Sequence, residues 1–438
     1  VCPWQKKQKH FFSPLLPIFE FQTTNRVTML NGPFSPWPSF SEEEANAVRD
    51  VLLSNKVNYW TGQECREFER EFAEFADSDY AIALANGTVA LDLALKALGI
   101  GEGDEVVVTP RTFLASASSI VTAGAVPVFA DVCPVSQNIT PDTVRQVITP
   151  RTRAIVCVHL AGWPCDMDGF MALAEELGLY VIEDCAQAHG ARYKGRSVGS
   201  IGHVGCWSFC QDKIMTTGGE GGMVTTNEKA LWSKMWSYKD HGKSWEAVYE
   251  REHPPGFRWL HDSFGTNWRM TEMQAVIGRI QLRRMAHWHH ARSANAERIW
   301  GTCRELPALW VPEFSCSTSC SSKCAVESGC THAQYKCYVK VRPERLAEGW
   351  SRDRIVDEVV SHGVPCFQGS CSEVYLEHAF DTTGWRPEQR LPIARALGET
   401  SLMFLVHPTL TASEIDQTCS VIEDVMNKAV TVEIRNAR

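Results

Sequence analysis

The sequence predicts an α/β protein built on a mostly parallel sheet, with a smaller α+β domain behind it. Three observations carry this expectation. From about Ser41 to Thr226, short apolar runs rich in β-branched residues alternate with helix-length segments. The strand-like runs are continuous rather than alternating in polarity, as in strands buried on both faces. Beyond Gln334 the rhythm changes to a looser mixture of strands and helices.

The elements follow in order. Ser41-Glu-Glu-Glu44 reads as a capping box opening a helix toward Leu53. Phe68, Phe72 and Phe75 place an apolar stripe on a helix over Glu64–Phe75. A strand at Tyr80–Ala85 turns at Asn86-Gly87 into a helix Thr88–Leu98, with Leu91, Leu95 and Leu98 on one face. Strands are expected at Val106–Thr109, Val126–Ala130, Ala154–Val158 and Tyr180–Glu183. Between them lie helices at Thr112–Ala123, Pro141–Val147 and Met167–Leu177. Val204–Phe209 and Gly222–Thr226 read as strands around a glycine loop, Thr217–Gly222, before a long helix from Thr271 to about Trp300. The C-terminal part offers strands Tyr338–Val341 and Ser401–Val406 and helices Arg352–His362 and Ala412–Ala429.

Charge and composition exclude several classes. A net charge of -9 argues against an extended nucleic-acid-binding surface, while leaving room for a local anion pocket. No window approaches the apolar run of about 18 residues that a spanning helix needs, so no membrane association is expected. The 17 cysteines cannot all pair within one chain, and many sit in apolar runs where a free thiol behaves as a small hydrophobe. That usage suits a reducing cytoplasm. Residues 1–28 show no regular hydrophobic period, and prolines with Glu20 interrupt their apolar stretch. They are expected to be an extension outside the fold, with Met29 as a candidate start. A large domain is expected over 29–290 and a small one over 291–438. The latter carries a Ser/Cys-rich loop at 315–331, whose cysteine spacing lacks the paired ends of a zinc site.

Four local features bear chemistry. In Leu84-Ala-Asn-Gly-Thr-Val-Ala-Leu91 a strand turns tightly at glycine into a helix, whose free N–H groups form an anion site. Alone, it is more often an ordinary strand–turn–helix junction with Thr88 near the cap. Val181-Ile-Glu-Asp-Cys-Ala-Gln-Ala-His189 puts two acids where a buried strand meets its loop, the edge at which open α/β sheets bind ligands. A cap or structural ion pair is the competing reading. Lys213, after a buried strand and before glycines, has the setting of a partly desolvated lysine able to form a Schiff base, although most lysines are simply surface groups. The loop Thr217–Gly222 permits close backbone approach.

Together these features resemble the DegT/DnrJ/EryC1/StrS family of pyridoxal-phosphate aminotransferases acting on nucleotide-linked keto-sugars. The resemblance runs from about Asn31 to Lys428 and rests on six motifs in the family's order. These are Asn86-Gly-Thr88, Pro110-Arg-Thr-Phe113, Glu183–His189, Ser208-Phe…Lys213, Gly219-Glu-Gly-Gly222 and Gly265-Thr-Asn-Trp-Arg-Met-Thr-Glu272. It implies the aspartate aminotransferase-like fold (fold type I), with pyridoxal 5'-phosphate bound in the large domain. It implies that Lys213 holds the cofactor covalently and that Asp184 pairs with the pyridine nitrogen. Gln187 would face the 3-oxygen and Phe113 would stack on the ring. Gly87, Thr88 and Ser208 would hold the phosphate. Asn267 would reach the phosphate of the neighbouring subunit, making the unit a homodimer with shared sites, and Arg269 beside it is a further candidate. The implied donor is L-glutamate and the implied acceptor a nucleotide-linked keto-sugar. Amination of a cyclic ketone and a cofactor-binding regulator are the alternatives. Dehydration of a keto-sugar is disfavoured, because the relatives that dehydrate carry histidine where this chain has Lys213.

Overall fold

The structure, a computed structural model, describes residues 33–313 and 329–430. Its elements in chain order are α1 (Glu42–Leu53), α2 (Glu64–Phe75), β1 (Tyr80–Leu84), α3 (Gly87–Ala97), β2 (Glu105–Val108), α4 (Ala115–Thr122), β3 (Val126–Phe129), α5 (Pro141–Arg145), β4 (Thr152–Val158), α6 (Met167–Leu177) and β5 (Tyr180–Asp184). The ribbon β6 (Arg192–Tyr193) and β7 (Arg196–Ser197) precedes β8 (Val204–Ser208), β9 (Gly222–Thr226), α7 (Lys229–Lys239), α8 (Trp245–Tyr249) and α9 (Glu272–Arg304). Then come β10 (Leu309–Trp310), β11 (Cys337–Val341), α10 (Arg352–Ser361), β12 (Cys366–Phe367), α11 (Pro392–Thr400), β13 (Ser401–Phe404) and α12 (Ala412–Ala429).

The large sheet has the order β1-β9-β8-β5-β4-β2-β3. Its pairings are parallel except those of β9, which runs against both β1 and β8. This is the mostly parallel sheet the sequence predicts. Helices cover both faces, so central strands such as β2 and β8 are buried at every residue. Ile82, Val106, Val156 and Val204 form one core with α3 and α4, while Val107, Ile155 and Val181 form another with Phe170 and Leu173 of α6.

A second, four-stranded antiparallel sheet, β10-β11-β13-β12, packs on α10 and α12. Helix α9 serves both cores. Met285 and Trp288 belong to the cluster around Phe68 and Phe209, whereas Ile299 and Cys303 belong to the C-terminal cluster. Phe34 also joins that C-terminal cluster, so the chain before α1 packs against the smaller sheet's core. Among the described residues no helix is long and apolar enough to cross a membrane.

Most boundaries agree with the sequence reading. One difference matters for the site. Helix α4 begins at Ala115, not at Thr112, because Thr112–Leu114 form a turn that leads out of the sheet edge. Residues 1–28 lie outside the described residues, as does the segment 315–331 apart from its last residues, 329–331.

Candidate active site

The C-terminal ends of β1, β2, β5 and β8 meet along one edge of the large sheet, where open α/β sheets bind ligands. At the end of β1 the chain turns through Asn86 into α3. The Asn86 side chain caps this helix, accepting the Val89 N–H at 3.0 Å. The N–H groups of Gly87 and Thr88, in the first turn, have no intrahelical acceptor. Ser208, at the end of β8, closes over them. A methyl group at Gly87 would stand 2.5 Å from Ser208 Cβ and 2.9 Å from its Oγ, so only glycine permits this approach. Gly222 is tight for the same reason, since a methyl group there would stand 2.3 Å from the Asn86 carbonyl oxygen.

Asp184 ends β5 and is 5% exposed. Its Oδ1 accepts the Ala186 N–H at 3.1 Å and its Oδ2 accepts the Ser116 hydroxyl at 2.7 Å. Thr112 Oγ1 and Ser116 Oγ lie 2.9 Å apart, and the Ser116 N–H donates to the Phe113 carbonyl at 3.2 Å. The turn that opens α4 therefore orients the Asp184 carboxylate. Phe113 within this turn is 71% exposed although Thr112 before it is buried. Ser116 is absent from the motifs read in the sequence. Thr112 lies before the helix, so the turn Thr112–Leu114 rather than a helical spacing brings the two hydroxyls together.

Glu183 has a different task. Successive strand side chains point to opposite faces, so it cannot share Asp184's side of the sheet. Its Oε1 accepts the N–H groups of Ile201 and Gly202 at 2.8 and 2.6 Å, and its Oε2 that of Gly199 at 2.8 Å. His159 Nε2 lies 3.0 Å from Oε2, while His159 Nδ1 accepts the Cys165 N–H. Burial would raise the Glu183 carboxyl. The His159 hydrogen bond and charge, with the N–H groups of Gly199 and Gly202, outweigh burial and hold it below the usual range. His159, Glu183 and Cys185 stand close enough together to suggest a metal site, but the Glu183 oxygens are already occupied by these donors.

Gln187 is 7% exposed, and its Oε1 accepts the Ala161 N–H at 2.8 Å. That bond ties down a residue held at φ 56°, in the left-handed region. Lys213 follows β8 on a turn in which its N–H donates to the Cys210 carbonyl at 3.1 Å. Trp37 Nε1 donates to the Lys213 carbonyl at 2.8 Å, pinning the turn from the other side. The side chain is 16% exposed, with Nζ 3.7 Å from Asp212 Oδ1. Asp212 also accepts the hydroxyl of Tyr335, whose ring centroid lies 5.3 Å from Lys213 Nζ.

Asn267 is exposed, in a segment bridged to Asp240. The next residue's carbonyl, of Trp268, accepts the Ala85 N–H at 2.9 Å, so this segment runs beside the Asn86 turn. Thr271, not Asn267, caps α9. Arg269 is ion-paired within its own chain. It donates to Asp240 at 2.6 Å, on an oxygen that also takes Lys243 Nζ at 3.1 Å.

The fold is that of a pyridoxal-phosphate-dependent transferase of fold type I. Residues 38–423 match the model of the DegT/DnrJ/EryC1/StrS aminotransferase family. The X-ray structure of the aminotransferase from Psychrobacter cryohalolentis is 66% identical, with a TM-score of 0.87, covering 90% of this chain and 99% of that one. The GDP-perosamine synthase of Caulobacter vibrioides is 36% identical over 383 residues, 86% of this chain and 95% of that protein. The GDP-perosamine synthase of Escherichia coli O157:H7 is 43% identical over 249 residues, 56% of this chain and 64% of that protein. The chain belongs to the DegT/DnrJ/EryC1/StrS aminotransferase family, and its cofactor is pyridoxal 5'-phosphate.

Proposed function

We propose that this chain transfers an amino group from an amino acid, L-glutamate, to a nucleotide-linked keto-sugar. The observation that carries the reading is the convergence of Lys213, Asp184 and the Gly87–Ser208 cradle at one sheet edge. The naming of the two similar synthases supports the acceptor class.

The residues suit the cofactor. The first turn of α3 with the Ser208 hydroxyl offers donors to a phosphate dianion, in a space that one added methyl group would fill. The uncovered ring of Phe113 suits stacking on a flat heterocycle, and the buried Asp184 beside it suits a protonated pyridine nitrogen. Gln187 spends its oxygen on Ala161, which leaves its amide N–H groups for the 3-oxygen. Bound pyridoxal 5'-phosphate supplies an electron sink for the donor's α-carbon. Lys213 would hold the cofactor and its amine would carry the proton to and from the donor's α-carbon. Asp184 keeps the ring nitrogen charged through both halves of the reaction. Asn267 serves the phosphate of a second copy of the chain, so the unit is a homodimer with shared sites. The large domain ends and the small one begins within α9, near residue 290. The buried free thiols, Cys157, Cys185 and Cys206 among them, suit a cytoplasmic setting.

The test is chemical. Borohydride reduction of the holoenzyme, followed by peptide mapping, should place the cofactor on Lys213. Incubation with L-glutamate and a nucleotide-linked keto-sugar should yield the amino-sugar by mass. An adduct on another lysine would overturn the site, and amination of free cyclic ketones alone would overturn the substrate class.

A further inference from the structure

Beside Lys213 stands a second amine. Lys336, just before β11, is half-buried, and its Nζ lies 4.9 Å from the Tyr335 ring centroid. Lys213 Nζ lies 5.3 Å from that same centroid, so the two amines share one ring as a neighbour. Arg292 of α9 stands nearby, 2% exposed. Its Nη1 donates to the carbonyls of Gln334 and Tyr335 at 3.5 and 3.4 Å. Its Nε and Nη2 have no hydrogen-bond partner among the described residues, and neither has His407 Nε2.

The charges do not balance. Asp212 is the carboxylate that acts on Lys336, and it is already engaged by the Tyr335 hydroxyl and by Lys213. Burial pulls the Lys336 amine down to about 8, with Arg292 and Lys213 adding to the effect and Asp212 opposing it. Burial, then Arg292 and Lys336, likewise push His407 down to about 3. Two amines share the one carboxylate of Asp212, with the Arg292 guanidinium nearby, and such unbalanced charge in a partly buried site costs free energy until an anion joins it.

We propose that Lys336, backed by Arg292, receives the α-carboxylate of the amino-acid donor. This rests on the aminotransferase reading above and adds the donor's recognition point. The anion's chemistry is shared by two substrates, since the nucleotide-sugar carries a diphosphate. The geometry favours the carboxylate. An amino acid's α-carboxylate sits two bonds from the amine that meets the cofactor at Lys213, so it must bind close to Lys213. Lys336 is set at that range, its amine and that of Lys213 both lying near the Tyr335 ring. A nucleoside diphosphate is bulkier than a carboxylate and more highly charged, whereas Lys336 is half-buried.

The experiment follows single turnovers of the holoenzyme by the absorbance change on amine transfer to the cofactor. Wild type is compared with Lys336→Met and Lys336→Arg, using L-glutamate, its α-amide, and the nucleotide-linked keto-sugar for the second half-reaction. In Lys336→Met the glutamate concentration at half-saturation should rise about 10- to 100-fold, the size expected for a lost charge-assisted hydrogen bond. Lys336→Arg should restore most of it, and the sugar half-reaction should be unchanged. Wild type should prefer glutamate to its α-amide, and Lys336→Met should lose that preference. Unchanged glutamate saturation in the Met variant would overturn the proposal. So would weakening of the sugar half-reaction alone, which would give the cation to the diphosphate. A wild type indifferent to the α-amide would overturn it with no variant needed. Failure of the aminotransferase reading is distinct, because wild type would then show no absorbance change with any amino donor.

Discussion

Ser116 Oγ donates to Asp184 Oδ2 at 2.7 Å, in a contact where both side chains are buried. In the proposed reaction Asp184 acts on the cofactor ring. Asp184→Asn should keep the fold and lower turnover about a hundredfold to a thousandfold, since an amide cannot hold a charged ring nitrogen. Ser116→Ala removes one donor to a charged acceptor and should cost about tenfold. Steady-state kinetics on both variants, with circular dichroism as the folding control, checks the order. Equal losses would mean that Ser116 does more than orient the carboxylate.

Gly87→Ala tests the phosphate cradle. The added methyl group meets Ser208, so the start of α3 and the end of β8 must separate. The dissociation constant for pyridoxal 5'-phosphate should rise about tenfold or more, through lost donors to the phosphate. Equilibrium titration of the apoenzyme, read by cofactor absorbance, gives the value. Wild-type affinity would remove Gly87 from the cradle.

Glu183→Gln tests stability rather than chemistry. The Glu183 carboxyl is depressed in the folded state, so its contribution is present above the unfolded value of about 4.3 and lost as pH falls through the folded one. The amide would turn N–H groups toward the N–H groups of Gly199 or Gly202, and the variant should lose about 3–5 kcal/mol near neutrality. Its stability should also fall less steeply with acid than that of the wild type. Urea unfolding at neutral and acid pH measures both effects.

Asn267 tests the shared site. A Lys213→Ala chain mixed with an Asn267→Ala chain, with subunit exchange confirmed, should regain activity above the sum of the parents. Each heterodimer then holds one intact site and one doubly damaged site. Activity no greater than that sum would assign Asn267 to its own chain.

The sequence made some of this readable and not the rest. The capping box at Ser41 and Glu44 forms, with the Ser41 N–H on Glu44 Oε2 at 2.7 Å, because capping is settled within a few residues. Helix α6 and strand β9 have the expected bounds for the same local reason. The pair Glu183–Asp184 was legible as two acids at the sheet edge. Which one faces Ser116 depends on strand alternation and on the loop Gly199–Gly202 that meets the other. Helices α7 and α8 were not read, since their aromatic content follows packing around Trp236 and Trp245 rather than a clean stripe. Arg292, Tyr335 and Lys336 come together from α9 and the approach to β11, a meeting that no local spacing encodes.

Helix α9 carries a mechanical consequence. Its 33 residues, at about 1.5 Å each, make a strut about 50 Å long. One half is a wall of the core around Phe209 and the other a wall of the core around Ile299. Two bodies bolted to one strut cannot swing apart as on a loop hinge. They can only twist about its axis or flex it slightly. Tyr335 packs with Ile214 and Met215, the residues after Lys213, in the core around Phe209, so the span from Lys213 to Tyr335 is set within one of these bodies, and discrimination between one small anion and another is made by a gauge rather than by a closing jaw.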